Sequence, residues 1–214
     1  MLTILAINGS PKKQKSGTEW LLNLALEGTK TANVKDDIHT EILHLRDYII
    51  QDCNGCNLCV TKKICPLSDD DDYPLIEQKM LKANALILGG PTYWAGVPSI
   101  MRRWMDRSRV LKMKNHQLSE KIVGFLTSAG LRHGGQEAAL MSMMLFSLGQ
   151  GMIIVGVCDD PIRYSPFPVG SLQHDLEGEF KFRGIPKDPI ASETAKLLGK
   201  RIAEVSYTFS KNRK

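Results

Sequence analysis

The sequence predicts an α/β protein: a doubly wound parallel sheet of five strands in the order 2-1-3-4-5, with helices on both faces. Three observations lead there. Short apolar runs alternate with stretches of helical periodicity over roughly residues 1–157, as in a parallel sheet joined by crossover helices. The first apolar run ends in a Gly-Ser-Pro turn and a basic loop that closes on a helix cap, the arrangement that binds phosphate. Later strands end in glycine-rich loops, on the side where ligands bind in such sheets.

Each element follows from local pattern. Leu2 to Asn8 is a buried strand bounded by Gly9-Ser10-Pro11. Ser16 to Glu27 is a helix, with Ser16 and Glu19 at capping-box spacing, Trp20, Leu21, Leu24 and Ala25 on one face, and Gly28 as its stop. Ile38 to Leu45 alternates as a second strand, and Arg46 to Asp72 is irregular. Pro opens the helices Pro74 to Leu81 and Pro98 to Arg109. Ala85 to Gly90, Lys121 to Thr127 and Ile153 to Val157 supply the remaining strands, with Gly135 to Leu148 a helix between the last two. Ile190 to Tyr207 closes the chain as an amphipathic helix.

The 214 residues, 43% of them hydrophobic, can bury a substantial core in one domain. We expect a single domain over 1–214, carrying a cysteine loop at about 52–66 and a long loop plus helix at about 159–208. The Pro- and Gly-rich stretch from Asp160 to Pro189 exceeds an ordinary connection and is a candidate functional or subunit-contacting loop. A net charge of +5, partly in the tail Lys211 to Lys214, does not call for a nucleic-acid partner. No targeting signal is recognisable, and a cytoplasmic location is expected. Ala138 to Val157 is uncharged and long enough to span a bilayer. Gly149-Gln150-Gly151 interrupts it, so it reads as a buried helix, a turn and a core strand, with no membrane partner.

Three loops carry candidate binding chemistry. The first, Asn8 to Thr18, offers helix N-terminal amides, the hydroxyls of Ser10, Ser16 and Thr18, the charges of Lys12, Lys13 and Lys15, and a close approach at Gly17. It lacks the Walker and dinucleotide glycine patterns, so a terminal monophosphate fits best. The second runs through Pro91, Thr92, Tyr93, Trp94, Ala95 and Gly96, where two adjacent aromatics at a strand end suit a planar ring. The third contains Thr127, Ser128, Ala129, Gly130, His133, Gly134 and Gly135, whose small residues let backbone approach a ligand. His133 can contact the ring or donate a proton, or stand solvated.

Cys53, Cys56, Cys59 and Cys65 have the spacing Cys-x2-Cys-x2-Cys-x5-Cys-Pro. Four thiolates in so short a run suit an iron–sulfur cubane. Zinc and a redox disulfide remain rivals. Asp69 to Asp72 are expected to face water at the positive end of the next helix. Cys158 is expected to be a buried structural thiol.

The Gly-Ser-Pro basic loop, Pro91-Thr92-Tyr93-Trp94, Asp106-Arg107 and Gly134-Gly135-Gln136-Glu137 together resemble the NAD(P)H-dependent FMN reductases of flavodoxin-like fold. The resemblance implies that residues 10–18 hold the FMN phosphate, and that 91–96 and 127–135 hold the isoalloxazine. Asp106 and Arg107 are read as an ion pair on their helix. The cysteine run, placed after the second strand, is similar to that of the iron-sulfur flavoproteins. That likeness implies a [4Fe–4S] cluster and a homodimer or homotetramer in which one chain's cluster lies near a neighbour's FMN.

The leading functional expectation is an FMN-dependent oxidoreductase. It would take electrons from a carrier such as ferredoxin through the cluster, and pass them from FMN to a small-molecule acceptor. A second is an NAD(P)H-dependent FMN or quinone reductase with structural or regulatory cysteines. A third is a non-catalytic electron carrier or redox sensor.

Overall fold

A computed structural model describes residues 1–171 and 188–211. Three strands and two crossovers come first: β1 (Leu2–Asn8), α1 (Gly17–Thr29), β2 (Ile38–His44), a short α2 (Leu58–Thr61), α3 (Tyr73–Lys82) and β3 (Ala85–Pro91). There follow α4 (Ser99–Arg107), α5 (Arg109–Met113), β4 (Ile122–Ala129), α6 (Gln136–Gly149), β5 (Ile153–Ile154), β6 (Val169–Ser171) and α7 (Pro189–Lys211). The sheet is parallel and ordered β2-β1-β3-β4-β5, as expected.

Strand alternation divides the core into two layers. In β1, Leu5 and Ile7 join Tyr73, Trp104 and Met143 on one face, whereas Leu2, Ile4 and Ala6 join Leu21, Ala25 and Leu198 on the other. Helices α1 and α7 therefore cover one face, and α3, α4 and α6 the other.

The fifth strand position differs from the expectation. Only Ile153 and Ile154 pair with the start of β4, and Val169–Ser171 pair with its end at Thr127–Ala129. The chain leaves the sheet after Val155, whose N–H still reaches Val123 O at 2.9 Å, and returns at Pro168, whose carbonyl accepts from Thr127 N at 3.1 Å. Pro161, Pro166 and Pro168 have no N–H to offer a ladder, and Asp160 turns the chain by accepting from Ile162 N at 2.9 Å. Two short strands thus share one edge position. Cys158 lies on this excursion and is exposed, not buried. Much of the long 160–189 stretch, and the tail at 212–214, fall outside the described residues.

The helix at 136–149 is also less buried than its composition suggests. Its inner side packs Ala139 and Met143, while Met141, Leu145 and Leu148 stand 51%, 61% and 59% exposed as a stripe at i, i+4 and i+7. Among the described residues no helix is long and apolar enough to cross a membrane.

Candidate functional site

At the C-terminal ends of β1, β3 and β4 the first loop folds around its own hydroxyls. Ser16 is the N-cap of α1: its Oγ accepts from Glu19 N at 3.2 Å and donates to Ser10 Oγ at 3.0 Å. Ser10 Oγ also accepts from Lys12 N at 3.3 Å, so its own proton is free for a ligand. Beneath them Asn8, fully buried, accepts from Ser10 N at 2.9 Å and lies 3.0 Å from His44 Nδ1. With the Glu19 amide taken by the cap, the first turn of α1 leaves the N–H groups of Gly17 and Thr18 without intrahelical acceptors. That is the donor set a phosphate needs.

One cleft brings the three loops together. The first loop lines it with Ser10, Lys12, Lys15, Ser16, Gly17 and Thr18. Pro91, Thr92 and Tyr93 come from the second, and Ser128, Ala129 and Gly130 from the third. Thr18 Oγ1 and Ser128 Oγ meet at 3.0 Å across it. Thr92 N donates to Ser128 O at 2.8 Å. Thr127 Oγ1, fully buried below the floor, donates to Gly90 O at 2.8 Å and so accepts from Thr92 Oγ1 at 2.9 Å.

Other expected contacts lie outside this cleft. Trp94 is wholly exposed, and both it and Ala95 have positive φ, at 48° and 55°. They form a tight two-residue hairpin closed by Tyr93 N to Gly96 O at 2.9 Å and Gly96 N to Tyr93 O at 3.0 Å. Such a turn ordinarily selects Asn-Gly, so a Trp-Ala pair there is strained. Gly135, with φ +88°, touches the hairpin: a Cβ on it would stand 2.5 Å from Ala95 Cβ. His133 is exposed, and Gly134 is fixed through its N–H, which donates to Gln136 Oε1 at 2.7 Å. Gln136 in turn donates to Leu131 O at 2.6 Å.

The sequence reading missed two supports. Arg46, just past β2, donates to Lys12 O at 2.5 Å and to Glu19 Oε2 at 3.2 Å, and so braces the phosphate loop from the neighbouring strand end. Strand order alone places the β2 end beside that of β1, which is the signal that could have found it. The second support is Gln136, a buried amide that the Gly-Gly-Gln-Glu segment carries in plain view.

The cysteine loop lies over α4 and α5. Arg103 donates to Asp52 at 2.6 Å, Arg107 to Gln51 O at 3.1 Å, and Arg109 to Asn57 at 2.8 Å. Left-handed turns at Gly55, Asn57 and Lys63 fold the loop back on itself. Cys53, Cys56, Cys59 and Cys65, all free thiols, line a single cavity with Arg107 and Arg109. Among the described residues no three potential ligands already converge as a metal site.

Two acidic expectations are corrected. Asp71 does not face water: it forms an ion pair with Arg107, both side chains fully buried. Burial alone would raise the Asp71 pKa, but hydrogen bonds from Arg107, Gln51 N and Tyr73 N hold it below the ordinary carboxylate value. Asp106 pairs instead with Arg102, one helical turn back, at 3.2 Å. Neighbours at i and i+1 diverge on a helix, which sends Asp106 outward and Arg107 inward.

A parallel α/β sheet in the order 2-1-3-4-5, with three loops meeting in one cleft at its strand tips, defines the class of flavodoxin-like proteins. The chain belongs to the NADPH-dependent FMN reductase family, whose model matches residues 2–158. It is 40% identical over 205 residues to an iron-sulfur flavoprotein of Archaeoglobus fulgidus, covering 96% of each chain. It is 34% identical over 210 residues to one from Methanocaldococcus jannaschii, covering 98% of this chain and all of that one. In fold it matches a flavodoxin-type, WrbA-like protein from Agrobacterium tumefaciens with a TM-score of 0.59 at 14% identity, over 97% of this chain and 99% of that one. The protein is an FMN-dependent oxidoreductase.

Proposed function

We propose that this oxidoreductase also holds a [4Fe–4S] cluster on Cys53, Cys56, Cys59 and Cys65 and serves a small-molecule acceptor. The observation that carries the reading is the cavity lined by all four thiols, where buried Arg107 keeps an Nε with no hydrogen-bond partner. A pocket with four thiolate donors and a spare buried N–H suits an anionic iron–sulfur cubane. Full-length similarity to iron-sulfur flavoproteins supports the same assignment.

When bound, FMN exchanges one or two electrons and the cluster exchanges one, so together they couple single-electron carriers to two-electron acceptors. The chain's own residues bind and orient. The amides of Gly17 and Thr18, the Ser10 hydroxyl and Lys12 would hold the phosphate, and Tyr93, Ala129 and Gly130, which line the same cleft, would hold the ring. Amides there would stabilise negative charge on the reduced ring. Ferredoxin is a fitting donor class. A second copy of the chain fits the Met141, Leu145 and Leu148 stripe, since an exposed apolar band of this kind marks a contact surface.

Anaerobic purification, with absorption spectra and counts of iron and acid-labile sulfide, tests the reading. Four irons and one flavin per chain are expected. Flavin without iron, even after reconstitution, together with rapid bleaching by NADPH, would move the assignment to a plain NAD(P)H-dependent FMN or quinone reductase.

A further inference from the structure

Arg107 is a costly residue to place where it stands. It is 2% exposed, it packs over the Tyr73 ring at 5.1 Å, and it spends its terminal nitrogens on Asp71 and on Gln51 O. Yet its Nε, also buried, has no partner among the described residues. A buried guanidinium N–H left unpaired forfeits a charge-assisted hydrogen bond and keeps its full desolvation cost. Such a donor calls for an acceptor in the space it borders. That space is the cavity of the four cysteines, which Arg107 lines and Asp71 does not. Asp106 and Arg109 line it too, but both are exposed to solvent, so the desolvated charge bordering the thiols is the Arg107 cation, with its counter-charge set behind it.

We propose that Arg107 sets the reduction potential of the group held by the four cysteines, by directing an N–H and a positive charge at its sulfurs from one side. The proposal rests on the cluster assignment above. One-electron reduction adds one negative charge to a thiolate-ligated cluster that is already anionic. A desolvated cation beside it favours the reduced form, and the Asp71 carboxylate behind it moderates the effect. The pair therefore works as an adjustable bias: removing the carboxylate raises the potential, and removing both charges lowers it.

The test is an anaerobic redox titration of the full-length, FMN- and iron-loaded protein, following the cluster by EPR and the flavin by absorbance. Asp71→Asn should raise the cluster potential. The double variant Asp71→Asn/Arg107→Gln, which leaves no lone buried charge, should lower it. Each change should be about tenfold in the one-electron equilibrium, about 59 mV. The flavin potential should stay in place. Unshifted cluster potentials in variants that keep four irons and FMN would overturn the role of Arg107 alone. If the double variant does not hold iron, Asp71→Asn decides by itself, an upward shift supporting the role and no shift ending it. A wild-type chain that takes up no iron overturns the cluster assignment and this role with it.

Discussion

Thr18 and Ser128, 110 residues apart in sequence, hydrogen-bond through their hydroxyls at 3.0 Å, and both are buried at the point where the phosphate loop meets the tip of β4. Only one of the two hydroxyl protons is used in that bond. The other remains for a ligand in the cleft. The contact locks the N-terminus of α1 against the tip of β4, and both line the same cleft.

Thr18→Val removes that link while keeping the side chain's shape. A typical net hydrogen bond contributes about 0.5–1.5 kcal/mol, so the FMN dissociation constant should rise roughly 2- to 12-fold. Quenching of flavin fluorescence on binding measures it. An unchanged constant would mean the phosphate loop is held without help from β4.

The thiol cavity and the cleft at the strand tips are built from separate loops and share no lining residue. Cys56→Ala should therefore abolish iron and sulfide while leaving FMN binding within about twofold, because Cys56 is exposed and packs no core. Parallel iron, sulfide and flavin counts on one preparation decide it. Joint loss of both cofactors would contradict the separation.

Acid should release the Asp71–Arg107 pair. The native pKa of Asp71 lies below its ordinary 3.8, so the unfolded chain binds this proton first as pH falls. Its contribution is thus complete above about pH 4 and is lost as pH drops through the lower native value. Urea midpoints of wild type and Asp71→Asn should differ most at neutral pH and draw together below pH 4. A gap that widens in acid would reverse the assigned sign.

Local chemistry made much of the architecture readable. β1 spans the residues its apolar run marked, and Ser16 caps α1 as its spacing with Glu19 implied. What escaped the sequence was non-local or one-sided. Nothing periodic links Asp71 to Arg107 across 36 residues, although the i, i+1 spacing of Asp106 and Arg107 already argued against their pairing. The α6 segment is apolar around its whole circumference, so no stripe revealed which side stays bare. The split edge strand depends on a return at Val169 that three prolines disguised as loop. In the candidate site, the cleft residues came from strand-end loops whose position the topology fixes, but the strained Trp94-Ala95 turn carries no Asn-Gly signature to announce it.

Helices α1 and α7 cross so closely that neither glycine at the crossing can be replaced. A Cβ on Gly199 would sit 1.7 Å from Ala25 O, and one on Gly28 would sit 2.0 Å from Lys196 O. Both obstacles are backbone, so no rotamer change relieves them. Gly199→Ala would gain about 1 kcal/mol of helix propensity in isolation. The forced separation of two packed helices should outweigh that gain, for a net loss of roughly 2 kcal/mol or more. The phosphate loop sits at the opposite end of α1 from Gly28, so FMN affinity should survive in the folded fraction. Saturating FMN should then raise the melting temperature of Gly199→Ala and of wild type by similar amounts, as expected for a ligand that binds only the native state. Thermal melts with and without FMN test both halves: a lower apo melting temperature shows the crossing is tight, and an equal ligand-induced rise shows the site is independent of it. A variant that melts like wild type would mean the helices can part without cost.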